Sequence, residues 1–179
     1  MKYLRITFPI VLTLLTVAAF PQSGGGGSPK SDTPTAQSDS QKLFEKLKSL
    51  SGSWDSDNPK RPFQVKFRLS SNGTAILSEM DAAPDNMVTM YHLDDGRLMM
   101  THYCAAGNQP RMVGKMSPDG KTLEFDFIDA TNLNSVPDGH MHRQVITVTD
   151  NNHHSEELIF QNKAGKEIMH VHFDLHRVQ

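Results

Sequence analysis

Three turn-forming dipeptides, Asn72-Gly73, Asp95-Gly96 and Asp119-Gly120, divide the middle of this chain into runs of strand-like residues. Glycine supplies the positive φ that a tight primed hairpin turn needs, and Asn or Asp tolerates it one place earlier. Each turn fixes a register that can be tested against the side chains it aligns. Folding about Asn72-Gly73 puts Val65, Phe67, Leu69, Ile76 and Met80 on one face and sets Lys66 opposite Glu79 on the other. Folding about Asp119-Gly120 gathers Met112, Met116, Leu123, Phe125 and Phe127, with Lys115 opposite Glu124. An apolar face backed by cross-strand ion pairs is what a half-buried antiparallel sheet requires. Asn151-Asn152 reads as a weaker fourth turn and Lys163-Ala164-Gly165-Lys166 as a fifth; together they align Met141, Val145, Leu158, Phe160, Met169, Val171, Phe173 and Leu175. The Asp95-Gly96 hairpin is less polarised, and its inner face stays unassigned.

These runs predict an all-β fold, an antiparallel up-and-down meander of about nine or ten strands that curls closed into a barrel and so removes its edges. A two-sheet sandwich is the alternative. In up-and-down order the tight turns at 72, 95, 119 and 151 share one end. The other end collects Asn58 to Pro62, Asp81 to Asn86, Ala105 to Gln109, Ala130 to Gly139 and the 163–166 turn. Long loops around a barrel mouth are where ligand access usually lies.

The meander occupies only part of the chain. Lys2 and Arg5 precede an apolar run from Ile6 to Phe20, with the small residues Ala18 and Ala19 near its end, which is the order of a secretory signal. Cleavage is expected after Ala19, making residues 1–19 a signal peptide; a retained signal anchor is the alternative. The apolar run is too short for a bilayer span, and no cysteine lies near the cut to take a lipid, so the mature protein is expected free in the periplasm or secreted, with no membrane span. Residues 20–39, with Gly24 to Gly27 in a row, have the composition of a flexible tether. Leu43, Phe44, Leu47 and Leu50 then recur at helical spacing and predict a short amphipathic helix from about Ser40 to Ser49, opening a domain over 40–179. Cys104 is the only cysteine, so this exported fold must stand without an internal disulfide. With 18 basic and 20 acidic residues and no basic run beside an aromatic platform, nucleic acid is not an expected partner.

Leu50-Ser51-Gly52-Ser53-Trp54, between the helix and the first strand, resembles the Gly-x-Trp signature that begins the lipocalin barrel. The segment His153-His154-Ser155-Glu156-Glu157-Leu158-Ile159-Phe160, followed by a Gly-Lys turn and a closing strand ending His176-Arg177-Val178, is similar to exported bacterial lipocalin-like (calycin) domains of unknown function. The resemblance covers about residues 43 to 179. It implies a barrel with Trp54 packed across the closed end, where the strand order independently places it, and a small apolar guest. The chain departs from the family in lacking the usual disulfide.

The candidate ligand-lining residues are Tyr91, His102, Cys104, Asn108, Gln109 and Arg111, which approach the mouth, joined by Met112 and Phe127 from the inner face. Polar groups beside small residues in a mostly apolar cup are the common pattern of a small-molecule site; a polar loop with one satisfied core histidine is the competing reading. Haem, with His102 or His92 as axial donor, is a special case. For a metal, His140-Met141-His142 and His170-Val171-His172 each put two imidazoles on one strand face. The candidates there are His172 with Glu157 opposite, His170 and His142, though the registers turn them outward into what reads as solvated surface. Cys104 and His102 share a face and could form a thiolate pair, but no third group orients them, and no nucleophile elbow or phosphate-cradling loop is present. The methionines on core faces serve as gap fillers or as an adaptable cup. The sequence thus leads to an exported small-molecule binding or carrier barrel for a largely apolar ligand. Loops 81–86, 105–109 and 130–139 gate it, and neither a cofactor nor catalysis is called for. A metal- or haem-binding barrel and a filled barrel serving as an interaction domain are the alternatives.

Overall fold

The computed structural model describes residues 37–84, 86–133 and 139–178. The signal-peptide and tether assignments therefore fall almost wholly outside the described residues. Among the described residues one helix, α1 (Asp39–Lys48), precedes ten strands: β1 (Gly52–Ser56), β2 (Gln64–Ser70), β3 (Ala75–Asp81), β4 (Met87–Asp94), β5 (Arg97–Tyr103), β6 (Gln109–Met116), β7 (Thr122–Thr131), β8 (His140–Val148), β9 (His153–Gln161) and β10 (Glu167–Arg177). Every strand pairs antiparallel with its chain neighbour, and β1 pairs with β10 to close the barrel. This is the up-and-down barrel the turn spacing predicts, and the sandwich is excluded.

The turns do what their residues allow. Asp95 and Gly96 both take positive φ, 45° and 77°, so Asp94 sits directly opposite Arg97 in a two-residue hairpin. The β2–β3 turn is wider than the Asn72-Gly73 pair suggests, because Ser71 also turns left-handed and the ladder resumes only at Ser70 and Ala75.

Helix α1 closes the tight-turn end. The Ser38 hydroxyl accepts from the Gln41 amide at 3.2 Å, capping the first turn, and Leu43, Phe44 and Leu47 are buried against the barrel. Leu43 reaches the inner face of β6 at Gly114, where a Cβ would lie 2.8 Å from both Leu43 and Phe125. Trp54 forms the floor: its indole N–H donates to the Leu50 carbonyl at 2.7 Å, and the Arg177 guanidinium lies 4.1 Å over its ring. Arg177 also donates to the Ser51 and Ser49 carbonyls, at 2.7 and 3.0 Å, tying the last strand to the end of the helix.

Three register irregularities interrupt the ladders among the described residues, in β6–β7, β8–β9 and β9–β10. A bulge between Met141 and Arg143 inserts one residue into β8, so beyond it Gln144 and Ile146 point inward and Val145 faces outward opposite Glu157. The expectation of Val145 on the inner face is corrected by that single extra residue. The first half of β10 is also more exposed than its alternation suggests, with Met169 at 46%. No helix among the described residues is long and apolar enough to cross a membrane.

Candidate functional site

The barrel axis is largely filled. Trp54, Phe67, Tyr91 and Phe125 are fully buried and, with Leu43 and Leu47 entering from α1, occupy the closed half. The sequence predicts an apolar cavity gated by the mouth loops, and in the closed half the aromatic rings and the helix take up that room.

Clefts open at both ends of the barrel and a small cavity lies inside it. The cleft beside α1, of about 630 Å³, is bounded by Leu43, Arg97, Gly114 and Met116. The larger cleft, of about 740 Å³, lies at the mouth, between the β1–β2 loop, the β3–β4 loop and the middle of β10. It exists because β1 stops at Ser56 whereas β10 continues toward the mouth; the last backbone link across the seam runs from the Asp57 amide to the Asp174 carbonyl at 2.9 Å. Phe63 and Phe173 meet edge to face at 4.8 Å in this cleft, beside Val171, Pro62, Ala82 and Ala83. Lys60, Arg61, Asp57, His172 and Asp174 supply its polar rim. The internal cavity, of about 10 Å³, is lined by Ser78, Met80, Met87, Thr89, His102, Gln144, Glu156 and Leu158.

The polar groups inside the barrel form a chain. The Tyr91 hydroxyl donates to Gln144 Oε1 at 2.9 Å, Gln144 Nε2 donates to Glu156 Oε2 at 3.0 Å, and His154 Nε2 lies 3.3 Å from Glu156 Oε1. Burial, with the nearby Glu156 charge, pushes the Tyr91 hydroxyl well above the usual phenol range, so Tyr91 stays a donor. Thr89 Oγ1 sits 2.8 Å from His102 Nδ1. Burial holds the His102 imidazole neutral by lowering it to about 4.

The sequence candidates separate into three groups. Tyr91, His102 and Met112 lie on the inner face and are buried, and Phe127 is half-buried with its ring 4.2 Å from that of His140. Cys104 and Asn108 bracket the β5–β6 loop: Cys104 packs against the core, and Asn108 donates to the Gly139 carbonyl at 2.8 Å, strutting one mouth loop against the next. Gln109 accepts from the Thr131 hydroxyl, and Arg111 faces outward, its guanidinium paired with Asp129. None of the eight lines the mouth cleft. The sequence places the 58–62 and 81–86 loops at the mouth and Val171 and Phe173 on the inner face, but does not join them into one site, because Lys60-Arg61-Pro62-Phe63 reads locally as a polar turn ending in a strand residue. The buried pair His154 and Glu156 was legible, since the alternation that sends Leu158 and Phe160 inward sends them inward too. Gln144 was not, because only the bulge turns it in.

The alternative chemistries find little footing. Burial raises the Cys104 thiol while it lowers His102, the opposite of what a thiolate–imidazolium pair requires. Beside His102 the free volume of about 10 Å³ admits one oxygen atom and no tetrapyrrole, and His92 is exposed opposite Ala75 near the tight turns. Neither offers an axial position for haem. On the outer face His170 meets Glu157 at 2.9 Å, and His172 lies 3.2 Å from Asp174 and 3.9 Å from Glu157, while His142 sits 3.4 Å from His140. Among the described residues no three His, Cys, Asp or Glu side chains are grouped to hold a metal ion.

No family model and no curated protein matches this chain. A solved structure does. The crystal structure of Rv2717c from M. tuberculosis aligns with a TM-score of 0.52 at 16% identity, over 76% of this chain and 98% of that one. At that identity the likeness speaks for the barrel fold alone, a fold compatible with ligand binding.

Proposed function

We propose that this chain is an exported small-molecule binding module whose guest sits in the mouth cleft rather than along the barrel axis. The observation that supports this reading is the aromatic wall of the mouth cleft: its roughly 740 Å³ face Phe63 and Phe173, whereas the cleft of about 630 Å³ beside α1 has no aromatic lining and the internal cavity holds about 10 Å³. Small-molecule sites typically occupy roughly 300–1,000 Å³ and pair apolar walls with a few polar groups. Here Phe63, Phe173 and Val171 furnish the walls, and Lys60 and Arg61 stand at the rim. That arrangement suits a largely apolar molecule with one polar end. Its role is carriage or sensing, with no bond made or broken. Export rests on the charged, apolar, small order of residues 1–19, and the mature chain then begins at Phe20.

Titration of the mature protein with the fluorescent apolar probe N-phenyl-1-naphthylamine tests the reading. Saturable one-to-one binding is expected, weakened roughly tenfold for each aromatic wall removed by Phe63→Ala or Phe173→Ala. Absence of saturable binding, or binding indifferent to both substitutions, would overturn it. N-terminal sequencing of the exported chain checks the cleavage site.

A further inference from the structure

Below the mouth, five polar side chains from five strands converge on one point. Ser78 of β3, Thr89 of β4, His102 of β5, Gln144 of β8 and Glu156 of β9 are all buried and all line the internal cavity of about 10 Å³. Met80 and Met87, paired across β3 and β4 just before the loop that joins them, border it toward the mouth. Neighbouring side chains engage Gln144 through both its amide atoms, both Glu156 oxygens, the Thr89 hydroxyl and His102 Nδ1. His102 Nε2 remains without a protein partner, fully buried at the cavity. Buried polar atoms are nearly always satisfied, by a bound molecule where the protein offers nothing.

The chemistry of the cavity limits its occupant. The volume suffices for one oxygen-sized atom. An anion would meet the Glu156 carboxylate, and an ion of either sign would have to shed its whole hydration shell to fit. Thr89 can donate to or accept from His102 Nδ1, so Nε2 can present either a lone pair or an N–H. Its natural complement both donates and accepts. We propose that this cavity binds a single neutral hydroxyl group, supplied either by a water molecule or by the hydroxyl end of a guest reaching past Met80 and Met87. The second source rests on the mouth being the guest's way in; the first does not. Methionine side chains are unbranched and adaptable, which suits them to give way before a slender chain.

The test uses the mature protein with labelled histidine and methionine methyl groups. Oxygen-17 relaxation dispersion is expected to show one long-lived water that disappears in His102→Phe, with Thr89→Val as the second variant should the first fail to fold. In a separate arm 1-butanol is added, with methyl propyl ether as a control that accepts but cannot donate. A saturable shift at His102 Nε2 and at the Met80 and Met87 methyls with the alcohol alone assigns the site to a guest hydroxyl. A long-lived water with a silent alcohol titration assigns it to water. Neither signal would overturn the proposal. The naphthylamine titration reports on the mouth separately: probe binding with neither signal at His102 sinks the hydroxyl site and spares the mouth, and a long-lived water without probe binding does the reverse.

Discussion

The two ends of this barrel treat the same ten strands in opposite ways. At the tight-turn end, short hairpins bring the strands together and α1 lays Leu43, Phe44 and Leu47 over them, so Trp54 is fully buried and roofed by Arg177. At the mouth the connections lengthen, β10 outruns β1, and Phe63 and Phe173 are left partly covered around a cleft. The difference teaches where each property of the molecule resides. Burial at the closed end supplies stability, and the incomplete seam at the mouth supplies a cleft walled by aromatic rings.

That contrast can be broken most directly by truncating its anchors. Trp54→Ala should cost about 3–5 kcal/mol, the range for emptying a large aromatic site in a close-packed core, as read from urea denaturation. Phe63→Ala, at a partly open position, should cost clearly less, since part of its surface is already wet. Equal losses would mean the mouth is as much a core as the floor.

The buried histidine sharpens the comparison through pH. His102 is held near 4 in the folded barrel against 6.5 in an unfolded chain, so the unfolded state takes up its proton first as pH falls. Stability from this group is complete above about pH 6.5 and declines as pH drops toward 4, by roughly 3 kcal/mol in all. Urea midpoints measured from pH 7 to 4 should fall more steeply in the wild type than in His102→Gln; parallel curves would contradict a buried neutral imidazole.

Much of the closed end was legible in the sequence, and much of the mouth was not, for the same physical reason. Gly-containing turns and strict alternation are local signals, and they specified the Asp95-Gly96 hairpin, the Lys115–Glu124 register and the helix to within one residue at each end. The mouth depends on where strands fail to match in length, which no local pattern carries. The bulge after Met141 is equally silent, yet it exchanges Val145 for Gln144 on the inner face and thereby completes the polar chain from Tyr91 to Glu156. The registers place Met112 on an inner face but leave the inner face of the Asp95-Gly96 hairpin unassigned, and that Tyr91 and His102 turn inward toward a filled axis follows only from the packing of Trp54, Phe125 and the α1 side chains.

Smaller effects probe the packing between helix and barrel. Gly114→Ala would place a methyl 2.8 Å from Leu43 and Phe125 and should cost about 1–2 kcal/mol, because both side chains must move. Combining it with Leu43→Ala should cost less than the sum of the two, since the smaller residue vacates the space the methyl needs. Strict additivity would show that α1 does not enter the barrel at this point. Smallest of all, Arg111→Ala should leave the denaturation midpoint unmoved, because the Arg111–Asp129 pair lies on the outer face with both side chains about half exposed.

The central claim is that the apolar body of a guest binds at the open seam. Mapping amide shifts by nuclear magnetic resonance during titration with N-phenyl-1-naphthylamine tests it most directly. Saturable shifts are predicted to concentrate at residues 57–63, at Ala82 and Ala83, and at Val171 to Asp174. Shifts concentrated instead around α1 and the turns at 95–96 and 117–121, or no saturable shifts at all, would contradict the account.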